Sequence, residues 1–129
     1  MARPAAKELT ERELEVMHAF WGRGESTVAE VRDALAAAGL DRAYTTVATL
    51  VRILSDKGFL QQTNAERPFR YRPARSYEDV SRKLLGDLLQ RVFRGSRELL
   101  LVRLLEQRRL TSSERSLLDD LLQKGGKRS

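Results

Sequence analysis

The sequence predicts a mainly α-helical chain with one small β-hairpin, and three observations lead there. Between Leu9 and Gly58 the apolar residues recur at helical spacing in three short segments parted by turns. From Phe59 to Pro73 the period shortens to two, as in paired strands. From Ser76 onward leucine-rich helical stripes return without a low-complexity linker. Three helices with short turns followed by a hairpin make a winged helix-turn-helix domain. The expected boundaries are 1–75 for that domain and 76–129 for a helical dimerisation domain.

The first eight residues are expected to form a loose tail. Thr10 with Glu13 matches a capping box, in which each side chain satisfies the other's backbone amide. The helix it opens should run to about Trp21, with a stripe of Leu14, Met17, His18 and Trp21 and with Leu9 and Phe20 nearby. The acidic residues Glu8, Glu11, Glu13 and Glu15 read as a solvated helix start favoured by the helix dipole, not as a paired-carboxylate site. His18 is the single histidine and, without further ligands at metal spacing, reads as a helix residue. Gly22 and Gly24 should end the helix, and Glu25-Ser26 suits a short extended pairing segment. Thr27 with Glu30 is a second capping box, opening a helix to Ala38 that buries Val28, Val31 and Leu35.

The stretch from Arg42 to Gly58 carries the strongest functional signal. At about 100° per residue, Val47, Leu50, Val51 and Leu54 share one face. Thr45, Thr49, Arg52 and Asp56 share the opposite face, with Thr46 flanking. Threonine can touch a thymine methyl or hydrogen-bond a base or phosphate, and arginine can form two bonds to guanine. This stretch therefore reads as a DNA recognition helix; the alternative is an amphipathic helix with a solvated polar face. The hairpin strengthens the first reading. Strands near 59–63 and 69–73 flank a turn at 64–68 and place Phe69 and Tyr71 on one side. Arg70 and Arg72 fall on the other and, with Arg67, suit phosphates or a minor groove.

Charge follows the same division. The whole chain holds 24 Lys+Arg against 18 Asp+Glu. Residues 1–41 hold five basic and eight acidic side chains, whereas residues 42–75 hold seven and two, so positive charge begins at the recognition helix. With no cysteine, disulfides, thiol catalysis and thiolate metal sites are excluded. Neither a signal peptide nor an apolar run near the ~20 residues of a membrane span is present, so a cytoplasmic chain without membrane insertion is expected. No Gly-rich phosphate loop or metal-spaced cluster is found, so an enzyme, a cofactor, a metal site and catalytic residues are not expected.

Beyond Pro73, Ser76 with Asp79 should cap a helix to about Phe93, and Gly95-Ser96 should break it. A second helix follows, and Thr111 with Glu114 opens a third, ending in a frayed GGKRS tail. Leu84, Leu85, Leu88, Leu89, Val92, Leu100, Leu104, Leu118, Leu121 and Leu122 are the expected dimer interface. So small a helical unit rarely buries its own core, and two copies packed together solve the problem.

The segments LTERELEVMHAFWGRGESTVAEV, AYTTVATLVRILSDKGFL and FRYRPARSYEDV resemble the penicillinase-repressor family over Leu9 to about Leu122. The resemblance implies a winged-helix repressor that binds palindromic operator DNA as a homodimer through its C-terminal helices. In the β-lactamase group it also implies a membrane sensor-protease as partner. The copper-responsive branch uses a C-terminal cysteine cluster, which this chain lacks. Proteolysed members are cut at an Asn-Phe bond that aligns near Arg103-Leu104, and that dipeptide is absent here.

On this reading Thr45, Thr46, Thr49 and Arg52 face bases or adjacent phosphates. Arg42 and Tyr44 hold the backbone at the helix start, and Arg67, Arg70 and Arg72 do so from the wing. Ser26 and Thr27 offer amides and hydroxyls to a phosphate at a helix N-terminus. The competing expectations are a winged-helix protein-interaction module and a small-ligand-responsive regulator.

Overall fold

The computed structural model describes residues 9–126. The expected loose segment 1–8, with Glu8, lies outside the described residues, as do the last three of the GGKRS tail. The elements in order are α1 (Glu11–Arg23), β1 (Ser26–Thr27), α2 (Val28–Ala37), α3 (Tyr44–Asp56), β2 (Leu60–Gln62) and β3 (Arg70–Pro73). Then come α4 (Tyr77–Arg91), α5 (Arg97–Gln107) and α6 (Ser112–Gly126). The chain divides into two compact units between Ser81 and Arg82. Gly125 and Gly126 continue α6 rather than fraying.

Local chemistry sets the helix ends. Thr10 and Glu13 exchange two bonds, at 2.8 Å and 3.2 Å, and Thr27 and Glu30 do the same at 2.9 Å and 3.2 Å. Thr111 and Glu114 form the third capping box, at 2.9 Å and 3.1 Å. The Asp79 amide donates to Ser76 Oγ at 3.0 Å before α4. Gly24, at φ 85°, ends α1; Gly22 stays inside the helix. Gly58, at φ 88°, turns the chain from α3 toward β2, a conformation that favours glycine.

The core of the first unit is built where α1, α2 and α3 meet. Val16, Met17 and Phe20 come from α1, Val31 and Leu35 from α2, and Val47, Val51 and Leu54 from α3. Phe59, Leu60 and Val80 close it. The buried stripe of α1 therefore differs from the expected one: Leu14 and Trp21 are only partly buried and His18 is exposed, while Val16 and Phe20 are fully buried. Glu13 shares the buried face with Val16, Met17 and Phe20, where its carboxylate has partners. His18, Trp21 and Tyr77 form an aromatic group with ring centroids 5.3–6.0 Å apart. The Trp21 indole donates to the Arg75 carbonyl at 2.9 Å, tying α1 to the segment before α4.

The strands form one antiparallel sheet in the order β1-β3-β2. Ser26 pairs with Tyr71 and Thr27 with Arg70, while Leu60, Gln61 and Gln62 pair with Pro73, Arg72 and Tyr71. The expected extended segment after α1 is thus a third strand of the wing, at Ser26–Thr27. Alternation turns Tyr71 toward the core and leaves Arg72 exposed.

The second unit is different. Helix α5 contains no buried residue, and the leucines and two valines from Leu84 to Leu122 that are exposed range from 37% to 64% accessible. Leu89 and Leu100 are half-buried. A groove between α5 and α6 is lined by Leu101, Leu104, Leu105, Leu117, Leu118 and Leu121.

Candidate nucleic-acid interface

Helix α3 is two-faced. Val47, Val51 and Leu54 are at most 1% exposed, whereas Thr45, Thr46, Thr49, Arg52 and Asp56 are all exposed. Its helical period alone produces that division: the sequence spaces its apolar residues three and four apart. Among the described residues the Arg52 guanidinium has no hydrogen bond or ion pair, so its five donors face solvent. Tyr44, at the first position of α3, is 49% exposed, with the Arg32 guanidinium 6.0 Å from its ring centroid.

The wing places its arginines in three different settings. Arg67 is exposed and lies 5.0 Å from the Phe69 ring centroid. Arg72 is exposed and donates to Gln61 Oε1 at 2.6 Å on the neighbouring strand. Arg70 is held by acids. Its Nε lies 2.9 Å from Glu25 Oε2, its Nη2 donates to the Glu25 carbonyl at 3.2 Å, and its Nη1 lies 3.7 Å from Glu30.

Ser26 and Thr27, expected at a phosphate, have partners within the chain. Ser26 is fully buried; its hydroxyl donates to the Gly24 carbonyl at 3.0 Å and accepts from Arg23 Nε at 3.2 Å. The Thr27 amide donates to the Glu30 carboxylate at 2.9 Å, and its hydroxyl oxygen accepts from the Glu30 amide at 3.2 Å. Arg42 and Arg70, also expected at the phosphate backbone, are paired with carboxylates. Arg42 lies between α2 and α3, and its Nε and Nη2 donate to Glu15 at 3.0–3.1 Å. Reaching a phosphate would require both arginines to abandon a carboxylate.

The ion pairs leave a mark on titration. The hydrogen bond from Arg42 holds the Glu15 carboxyl below its ordinary value against the opposing effect of burial, and Glu15 raises Arg42 in return. The Glu30 carboxyl is likewise held down, first by the Thr27 amide and then by the charges of Arg70 and Arg23. A carboxylate whose pKa is lower folded than unfolded stabilises the fold above the unfolded pKa. That contribution is lost as pH falls through the folded value. The first unit is therefore expected to lose stability below the ordinary carboxyl pKa of 4.5. Glu30→Gln, which can keep the cap, should flatten that decline. Urea midpoints read by Trp21 fluorescence at about pH 6 and about pH 3 check this.

Sequence reasoning missed three residues of this region. Glu13 and Glu15, expected to be solvated, are engaged by Lys57 and Arg42. Lys57 sits at the end of α3 and donates to both Glu13 oxygens, at 2.9 Å and 3.1 Å. No local pattern pairs residues 27 or 44 positions apart.

A third helix with an exposed threonine-arginine face, beside an arginine-bearing hairpin, defines a winged-helix domain of the nucleic-acid-binding class. The model of the penicillinase repressor family matches residues 9–124, and the chain belongs to that family, whose members are DNA-binding transcriptional repressors. Transcriptional regulator BlaI of Mycobacterium tuberculosis is 37% identical over 101 residues, 77% of this chain and 72% of the relative, in both strain CDC 1551 and strain H37Rv. A solved structure titled for regulation of DNA binding of Bordetella bronchiseptica BpsR by 6-hydroxynicotinic acid aligns over 94% of this chain and 77% of its own. Its TM-score against this chain is 0.47, at 18% identity. Among the described residues no helix is long and apolar enough to cross a membrane.

Proposed function

We propose that the chain represses transcription as a homodimer bound to a palindromic operator. Thr45, Thr46, Thr49 and Arg52 read base edges or adjacent phosphates in the major groove, while Tyr44, Arg67 and Arg72 touch the flanking backbone. The observation that carries this is the division of α3: a sealed apolar face opposite an exposed row of threonines and an unpaired guanidinium. The dimer rests on the apolar faces of α4, α5 and α6, most of whose leucines stay exposed in the single chain. Two copies would bring two recognition helices to half-sites about one helical turn apart.

Selection from a random-sequence duplex pool tests the reading. The expected winner is an inverted repeat, and recovery of no sequence above background contradicts specific binding. On the selected duplex, Arg52→Ala should cost about 1–3 kcal/mol and relax preference at one base pair. Arg72→Ala should weaken every sequence alike and reduce the salt slope by about one. Equal affinities and slopes for both variants and the parent would contradict this assignment.

A further inference from the structure

We propose that Glu15 and Glu13 of α1 are positioning residues that fix the recognition helix at both its ends, and that Arg42 serves this clamp rather than the phosphate backbone. The proposal rests on the DNA-binding reading above. Arg42 stands two residues before α3 and Lys57 immediately after it. Arg42 is bound to Glu15 by three contacts of 3.0–3.1 Å, and Lys57 to Glu13 by two of 2.9 Å and 3.1 Å. All four side chains are largely withdrawn from solvent, at 21% and 19% exposure for the first pair and 19% and 4% for the second.

The two carboxylates lie about 200° apart around α1, and their partners flank α3 at its opposite ends. Helix α3 itself is about 20 Å long, at 1.5 Å per residue. A tilt or slide of α3 over the core would stretch at least one pair. Apolar contacts alone resist such motion weakly, because they have no direction. Charge-assisted bonds at both ends do have direction, and the paired arrangement on Glu15 adds geometric specificity. Base-reading side chains must be held within about 0.5 Å of their productive place. Glu13 is fixed in turn by the Thr10 amide at 2.8 Å, which anchors the clamp in the cap of α1.

The proposal has an unusual sign. Glu15→Gln removes a negative charge and releases Arg42. If Arg42 were a phosphate contact, that change should tighten binding to a polyanion. If Arg42 is half of a clamp, it should weaken specific binding instead. The probe is the duplex selected by the unmodified protein, with a scrambled duplex of equal length as control. Affinities of Glu15→Gln, Arg42→Gln and the double variant are measured across a salt series, with melting temperatures alongside.

Each single variant is expected to lose about tenfold on the selected duplex and almost nothing on the scrambled one, with the salt slope unchanged. The double variant should be no weaker than either single, because both remove the same contact. Glu15→Gln binding as tightly as the parent or tighter overturns the proposal, as does a flatter salt slope for Arg42→Gln. A collapsed melting temperature in both variants also overturns it, because the pair would then hold the fold rather than aim the helix. If the unmodified protein selects no duplex, the DNA-binding reading fails; if it selects one that the variants bind equally well, the clamp alone fails.

Discussion

Replacing Leu121 and Leu122 together with aspartate is expected to yield a monomer. Both lie on α6, at 55% and 64% exposure. Burying a leucine is worth about 1.5–3 kcal/mol, and a two-fold interface uses every position twice. Only the part of each side chain still exposed remains to be buried, so four leucines represent at least about 3.5 kcal/mol, and each aspartate adds the cost of withdrawing a charge from water. Even half of that value, spread over repacking, loosens association more than tenfold, and the full value several hundredfold. Sedimentation at about 10 µM should show one chain where the parent shows two. The selected duplex should lose the second half-site's footprint, although no DNA-facing residue has changed. Unaltered sedimentation would contradict the proposed dimer through α6.

The second large effect concerns the core. Phe20→Ala should destabilise the first unit by about 3–5 kcal/mol, as large aromatic truncations do in sealed interiors. Phe20 is fully buried, within the cluster to which all three helices of the domain contribute. Domains of this size carry only about 5–15 kcal/mol in total. Trp21 is the only tryptophan of the chain and sits in this unit, so its fluorescence reports the transition directly. The urea midpoint should fall while the slope of the transition stays constant. A midpoint unchanged from the parent would mean that the α1–α2–α3 junction is not what holds the domain.

The fold was readable from sequence because each of its elements announces itself within a few residues. Capping boxes at Thr10, Thr27 and Thr111 start three helices, and the period change at Phe59 starts the hairpin. The exposed face of α3 was readable for the same reason. What stayed hidden depends on partners far along the chain. The pairing of Arg42 with Glu15 and of Arg70 with Glu25 spans distant parts of the chain. The Ser26 hydroxyl is engaged by the Gly24 carbonyl and by Arg23, and nothing in the local pattern announces that. Glu13 looked solvated because carboxylates at helix starts usually are; only the folded chain brings Lys57 to it. Charge type can be read in order along a sequence, but charge pairing cannot.

The exposed row on α3 has a further implication for how such a regulator changes its target. Threonine is stiff at its first side-chain torsion, so Thr45, Thr46 and Thr49 surrender little freedom on docking. They fit many base edges moderately well and reject few. Arg52 is the one long, multiply donating side chain among them, so under the proposed DNA-binding reading discrimination would be concentrated in a single position. Exchange of that residue alone would redirect the protein to a new set of promoters while leaving the rest of its surface in use.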